Sequence, residues 1–160
     1  MTCHSEVITL EPWEESLAHL IGTMRQGLSS ANGAQDPLTH VNSYAAQAMG
    51  VAGELAFAKW RNIYPLLNFL PTQGGADCLG HKGQSIDVKT TSRPDGHLIV
   101  GRGKKRHPCD NYVLMIGNGK DFTCGGFATQ EEVFDDSNLR DGGHGLQHCI
   151  EQGKLRRAWK

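Results

Sequence analysis

Long apolar runs are missing from this chain of 160 residues. Nothing approaches the ~20 consecutive apolar residues that a membrane span needs, and "MTCHSEVITLEPWEE" has neither the basic start nor the apolar core of a secretory leader. The expectation is a cytoplasmic protein with no membrane partner, in host cytoplasm if a phage encodes it. Paired cysteines are missing too. Cys3, Cys78, Cys109, Cys124 and Cys149 make an odd set with no C-x-x-C, which argues against a disulfide scaffold or a paired-cysteine zinc or iron–sulfur centre and for buried free thiols. Charge of one sign is scarce as well: the formal net charge is −1, which does not advertise nucleic-acid binding. There is no internal repeat, low-complexity tract, G-x-x-x-x-G-K-[ST] phosphate loop or G-x-S-x-G elbow; "GRGKK" is only a fragment of the phosphate loop.

What is present reads as one domain, long enough to bury about two-thirds of its unfolded surface. It has a helical N-terminal part over 12–64, a sheet core over 74–128 and a C-terminal extension over 129–160. Pro12 to Leu28 has helical spacing, with Leu17, Leu20, Ile21, Met24 and Leu28 as its apolar positions. A longer alanine-rich helix is predicted from about Thr39 to Tyr64, with Tyr44, Ala48, Val51, Leu55 and Phe57 or Ala58 inward and Trp60 in the core. Gly50 and Gly53 weaken it by about 1 kcal/mol each relative to alanine, which implies close approach to a sheet. From Gly74 the period changes to two. Strands are expected at Ala76–Leu79, Ser85–Thr91, His97–Gly101, Asn111–Gly117 and Phe122–Ala128, with "HKG", "SRPDG" and "GNGKD" as hairpin turns. Thr129 and "QEEV" form a capping-box start, and "DGGHGLQHCIEQGKL" has room for one more short strand.

Chemistry concentrates in "GGADCLGHKGQSIDVKTTS". Strand alternation puts Asp87 and Lys89 on one face, and Asp77 lies one short hairpin upstream. Glu54 sits among small and apolar residues in "GVAGELAF". Taken singly, each has a plain reading: a solvated ion pair worth under ~1 kcal/mol, turn chemistry at Asp77, or an outward helix glutamate. Together they are three carboxylates and one lysine. That set suits phosphodiester hydrolysis, in which Mg²⁺ takes carboxylate, water and phosphate oxygens while a lysine orients or helps deprotonate the attacking water. His144 and His148 beside Cys149 lack the second ligand pair that zinc would need.

The order of a helix acid, Gly-x-Asp and apolar-Asp-x-Lys resembles the PD-(D/E)XK nuclease superfamily, over roughly Met49 to Glu132. In the resemblance, Glu54 in "GVAGE" stands for the helical glutamate, Asp77 for the first aspartate, and Asp87 and Lys89 in "IDVKTT" for the (D/E)-x-K pair. "CDNYVLMIG" and "GGFATQEE" look like the strands that follow in small members. Ala76 replaces the first motif's proline, and neither a Q-x-x-x-Y element nor the cysteine set of the iron–sulfur nucleases is present. The resemblance implies an α/β, restriction-endonuclease-like core with a central mixed β-sheet flanked by helices, and a Mg²⁺-dependent endonuclease or other nuclease acting on DNA. Glu54, Asp77 and Asp87 would hold Mg²⁺ (or Mn²⁺ in its place), the Val88 carbonyl would be an extra ligand, and Lys89 would position the water.

Positive charge clusters at Arg102, Lys104, Lys105, Arg106 and His107, and again at Lys154, Arg156, Arg157 and Lys160. The first run, Arg102 to His107, is expected to hold the DNA backbone, through Arg102, Lys104, Lys105 and Arg106. A homodimer would supply two sites for two strands. The alternatives are a non-catalytic DNA- or partner-binding protein with the same fold, or a purely structural domain.

Overall fold

Two helices cover one face of a mixed sheet in the computed structural model, which describes residues 6–31, 43–68, 75–141, 143 and 145–158. Helix α1 (Pro12–Ala31) starts on a proline whose missing N–H costs nothing in a first turn, and Glu14 and Glu15 there suit the positive end of the helix dipole. Glu14 does more than cap. Its carboxylate accepts from the Glu11 N–H at 2.6 Å and from the Lys59 ammonium at 2.7 Å, tying α1 to the end of helix α2 (Ser43–Arg61).

Ala18 and Ile21 form the buried stripe of α1, whereas Leu20 and Met24, expected inside, face outward. They lie on the flank of the helix, turned away from the line of contact with α2. Almost the whole circumference of α2 is buried: Ala48, Val51, Ala52, Leu55, Ala56, Phe57, Ala58 and Trp60. A helix apolar on all sides belongs between two layers, and here these are α1 and the sheet. Tyr44, expected inward, is exposed, and Thr39–Asn42 of the predicted helix lies outside the described residues. Gly53 has the packing reason inferred for it, since a Cβ would collide with the Thr90 side chain. Gly50 has none, with nothing within 4 Å.

The main sheet has the order β1-β6-β5-β3-β2. Its strands are β1 (Ile8–Thr9), β2 (Cys78–Leu79), β3 (Ser85–Thr91), β5 (Asn111–Asn118) and β6 (Asp121–Thr129); β3 and β5 run parallel and the other pairs antiparallel. The register sets Asp87 opposite Tyr112 and Lys89 opposite Leu114. A bulge at Leu114/Met115 accompanies the glycine pair of β6, where Gly126 takes φ 126°, open only to glycine without strain. Thr129 and Glu132 make the expected capping box for helix α3 (Gln130–Val133).

Strand β4 (Leu98–Gly101) departs from expectation. "SRPDG" closes no hairpin with β3, because β2 and β5 already occupy both edges of that strand. Instead β4 joins a second, antiparallel sheet of order β4-β8-β7, with β7 (Leu139–Asp141) and β8 (Leu146–Ile150). The strand expected in "DGGHGLQHCIEQGKL" is β8, and β7, which reaches that stretch only at Asp141, is an addition.

Two apolar cores result. The first fills the space between helices and main sheet, with Ile86, Val88, Val113 and Met115 against Val51 and Leu55. The second joins Tyr112, Leu114 and Ala128 of the main sheet to Leu98, Val100 and Ile150 of the small one. Cys78, Cys109 and Cys124 are buried free thiols and Cys149 is a half-buried one, while Cys3, His144 and Trp159 lie outside the described residues. No helix among the described residues is long and apolar enough to cross a membrane.

Candidate functional site

The pleat of β3 separates two kinds of side chain. Ile86, Val88 and Thr90 face α2; Asp87 and Lys89 face the opposite side, where the small sheet packs. Asp87 is fully buried. Its Oδ1 is paired with the Lys89 ammonium, as the two-residue spacing implies. Its Oδ2 is paired with a second ammonium, that of Lys104, at 2.7 Å. Neither contact is as well aligned as a guanidinium fork, and the Lys104 one adds hydrogen-bond character to the pairing of charges.

Lys104 was expected to face DNA with the rest of its basic run. It lies on a five-residue 3₁₀ turn, Arg102–Arg106, that follows β4 directly. Because β4 belongs to the small sheet, its end delivers this turn to the buried face of β3. Side chains on a 3₁₀ turn diverge by about 120° per residue, so Lys104 points inward while Lys105 and Arg106 stay exposed. Although burial disfavours its charged form, the Asp87 carboxylate holds the Lys104 ammonium above the ordinary lysine range.

Asp77 closes the open end of the β2–β3 ladder. Its N–H donates to the Ile86 carbonyl at 2.8 Å, and its Oδ2 accepts from the Val88 N–H at 2.7 Å. Burial, then the negative charges of Glu54 and Asp87, push this carboxyl up to about 7, against the pull of Lys89 and the Val88 N–H. Asp77 therefore feels both other acids of the predicted set. The Cys109 thiol also borders the site; burial and the Asp87 charge raise it to about 11, which keeps it a thiol rather than a nucleophile.

Glu54 is engaged by an unforeseen partner. Arg25 of α1 grips both carboxylate oxygens, at 2.6 and 3.0 Å, and donates its third N–H to the Asn68 carbonyl at 2.9 Å. This bidentate fork is the strong form of the carboxylate–guanidinium pair. Glu54 keeps its place near Asp77, with each oxygen already paired to Arg25.

Of the predicted residues, Asp77, Asp87 and Lys89 come together, Val88 supplies backbone between them, and Glu54 stands behind Arg25. A cleft of about 300 Å³ opens beside Lys89, bordered by Thr91, Arg93 and His97. Among the described residues no three His, Cys, Asp or Glu side chains are grouped to hold a metal ion by themselves. The donors still suit a hard divalent ion: a buried carboxylate held by mobile ammoniums, beside a carboxyl kept partly protonated by burial and then by like charge. Sequence reasoning named Lys104 only as a DNA contact, not as a partner of Asp87, and missed Arg25. Lys104 had no mark to separate it from its neighbours, and Arg25 lies on a helix whose polar positions all looked solvent-facing.

In the basic C-terminal segment Lys154 pairs with Glu151 and Arg156 with Glu132, while Lys160 lies outside the described residues. No protein-family model matches the chain, and no curated protein sequence matches it.

Proposed function

We propose that the chain is a Mg²⁺-dependent nuclease with a restriction-endonuclease-like core that hydrolyses DNA phosphodiester bonds, Mn²⁺ serving in place of Mg²⁺. One observation carries this reading: a fully buried aspartate, clamped by two ammoniums, adjoins a second aspartate whose carboxyl is pushed up to about 7. Residues built only for stability seldom look like this. A buried acid that needs neutralising for the fold's sake takes an aligned partner, as Glu54 does.

Asp77 and Asp87, with the Val88 carbonyl, would hold the metal ion, which when bound polarises the phosphate and acidifies water. Lys89, partly exposed beside its cleft, positions the attacking water by donating to it or offsets negative charge developing on the phosphate. Lys104 reaches the same carboxylate from the opposite wall and is suited to the same charge-offsetting task. Arg102, Lys105 and Arg106 stay on the outer side of the turn, free to contact the DNA backbone, which fixes position without reading sequence. Glu54 contributes its charge to the field at Asp77. Two copies acting as a homodimer would cut both strands of a duplex.

The second reading, a DNA- or partner-binding protein with this fold and no catalysis, is favoured by one feature: Glu54 is already paired with Arg25, leaving two acids without a guanidinium partner. Cleavage separates the readings. Wild-type protein with Mg²⁺ or Mn²⁺ is incubated with single-stranded, duplex, branched and RNA substrates, beside Lys89→Ala. Cleavage by wild type, reduced about 10²- to 10⁴-fold in Lys89→Ala with DNA binding retained, supports the nuclease. Binding without cleavage of any substrate assigns the second reading.

A further inference from the structure

On the side of the Arg102–Arg106 turn away from Asp87 lies a second cleft, of about 460 Å³, the size of a small-ligand site. Arg102, Lys105 and Arg106 border it on one side, Asp136, Leu139 and His148 on the other. The charges do not cancel. Lys105 comes within 3.9 Å of Asp136, and among the described residues no ion pair involves Arg102 or Arg106. Three cations and one carboxylate leave two net positive charges facing one space.

His148 sets this cleft apart from a solvated basic patch. It is the middle residue of the small sheet, paired with Val100 on one side and Leu139 on the other, and is only 3 % exposed. Phe134 meets its ring edge-on at 5.0 Å, fixing the plane of the imidazole. The ring lies beside the Asp135 backbone, and Nδ1 is shut off from solvent with no aligned partner. A buried ring nitrogen without a partner is costly unless something else meets it. Burial, with the positive charges of Lys105 and Arg102, holds the imidazole below its usual range, against Asp136 and the Asp135 backbone. An anion in the cleft would reverse that balance through its charge and favour the protonated ring.

We propose that this cleft is a phosphate site, separate from the Asp77–Asp87 centre, that takes the phosphomonoester end of a nucleic-acid strand. The net charge of two matches a phosphomonoester, which carries −1.5 to −2 at neutral pH; a backbone diester carries one. A bordered cleft also suits an end better than a strand running through. Lys104 and Lys105 are neighbours on a turn about 10 Å long, so a strand end held here lies within a few nucleotides of the proposed cutting site. The origin of the phosphate in nucleic acid rests on the nuclease reading; the anion site does not.

The test uses full-length protein in chelator, so that no cleavage enters. Inorganic phosphate is titrated while the His148 ring signals are followed by NMR. Short single strands ending in 5′-phosphate, 3′-phosphate or hydroxyl are then compared for affinity. Expected are a saturable shift of the His148 signals and at least tenfold tighter binding of one phosphorylated end than of the hydroxyl-ended strand. That preference should disappear in Arg106→Gln and Lys105→Gln, both exposed positions that leave the core intact, and persist in Asp87→Asn. Equal affinity for all three strands would overturn the end-phosphate site and leave only backbone contact. A phosphate response abolished by Asp87→Asn would place the anion at the other centre and overturn it equally.

Discussion

Glu54 and Asp87 are both buried acids that act on Asp77, yet they are neutralised by opposite means. Glu54 receives one guanidinium whose fork matches both oxygens, from a side chain fixed a third time by the Asn68 carbonyl. Asp87 receives two separate ammoniums, one per oxygen, neither with the matched geometry of a fork. A guanidinium fork is pre-organised and hard to replace, whereas a lysine is a point charge on a flexible stem. The first arrangement is a structural lock between α1 and α2. The second is exchangeable: Lys89 and Lys104 are both about one-third exposed and can turn to water or substrate when another cation takes their place. The difference sorts the acids of the site into one locked into the fold and one with movable partners, the acid to which the nuclease proposal gives the chemistry.

The strongest way to break this comparison is Arg25→Ala. It strands a buried carboxylate, and the expected cost is about 3–5 kcal/mol in urea unfolding. A loss under about 1 kcal/mol would mean that Glu54 is no lock. Lys104→Gln is the counterpart on the other side. Asp87 keeps Lys89, and the cation that competes for its Oδ2 is gone. Mn²⁺ binding should tighten by a factor on the order of ten, about 1.4 kcal/mol, with unfolding free energy nearly unchanged. Weaker Mn²⁺ binding would show that Lys104 supports the site rather than occupying it.

Asp77 sharpens the contrast through pH. Its folded value of about 7 lies above the ordinary aspartate value of 3.8, so the folded state binds the extra proton between those limits. Without divalent ions, stability should therefore fall as pH rises from about 4 to about 7 and level off above, and Asp77→Asn should flatten that slope. Metal affinity should weaken below about pH 7, because the proton competes. Stability that rises over this interval in wild type but not in Asp77→Asn would reverse the sign assigned here. The smallest effect belongs to the exposed pair of Arg140 and Glu151, 3.2 Å apart. Arg140→Ala should change stability by no more than about 0.5–1 kcal/mol, giving the baseline against which Arg25→Ala is read.

Local pattern carried much of this in the sequence. Two-residue alternation bounded β3 at Ser85 and Thr91 as observed, and the same alternation paired Asp87 with Lys89. The capping box at Thr129 and the close approach at Gly53 are likewise short-range signals, each set by chemistry within a turn or one packing contact. What the sequence hid depends on distant pairing. Strand β4 had every mark of a hairpin partner for β3, and only its pairing with β8 moves it to another sheet. That move decides the direction of Lys104, so a residue indistinguishable from Lys105 in sequence becomes part of the site. Arg25 was hidden for a similar reason: a polar residue on an amphipathic helix looks solvent-facing until the neighbouring helix brings a carboxylate to it. Leu20 and Met24 erred in the other direction, since helical spacing marks an apolar stripe but not its width.

The exchangeable clamp on Asp87 is tested most directly by Mn²⁺ binding, read as loss of the free-ion electron paramagnetic resonance signal, in wild type and Asp87→Asn at pH 8. Saturable binding by wild type, weakened at least tenfold in Asp87→Asn, is the expected result. Absence of binding to wild type, or equal binding to both proteins, would contradict a metal centre at Asp87.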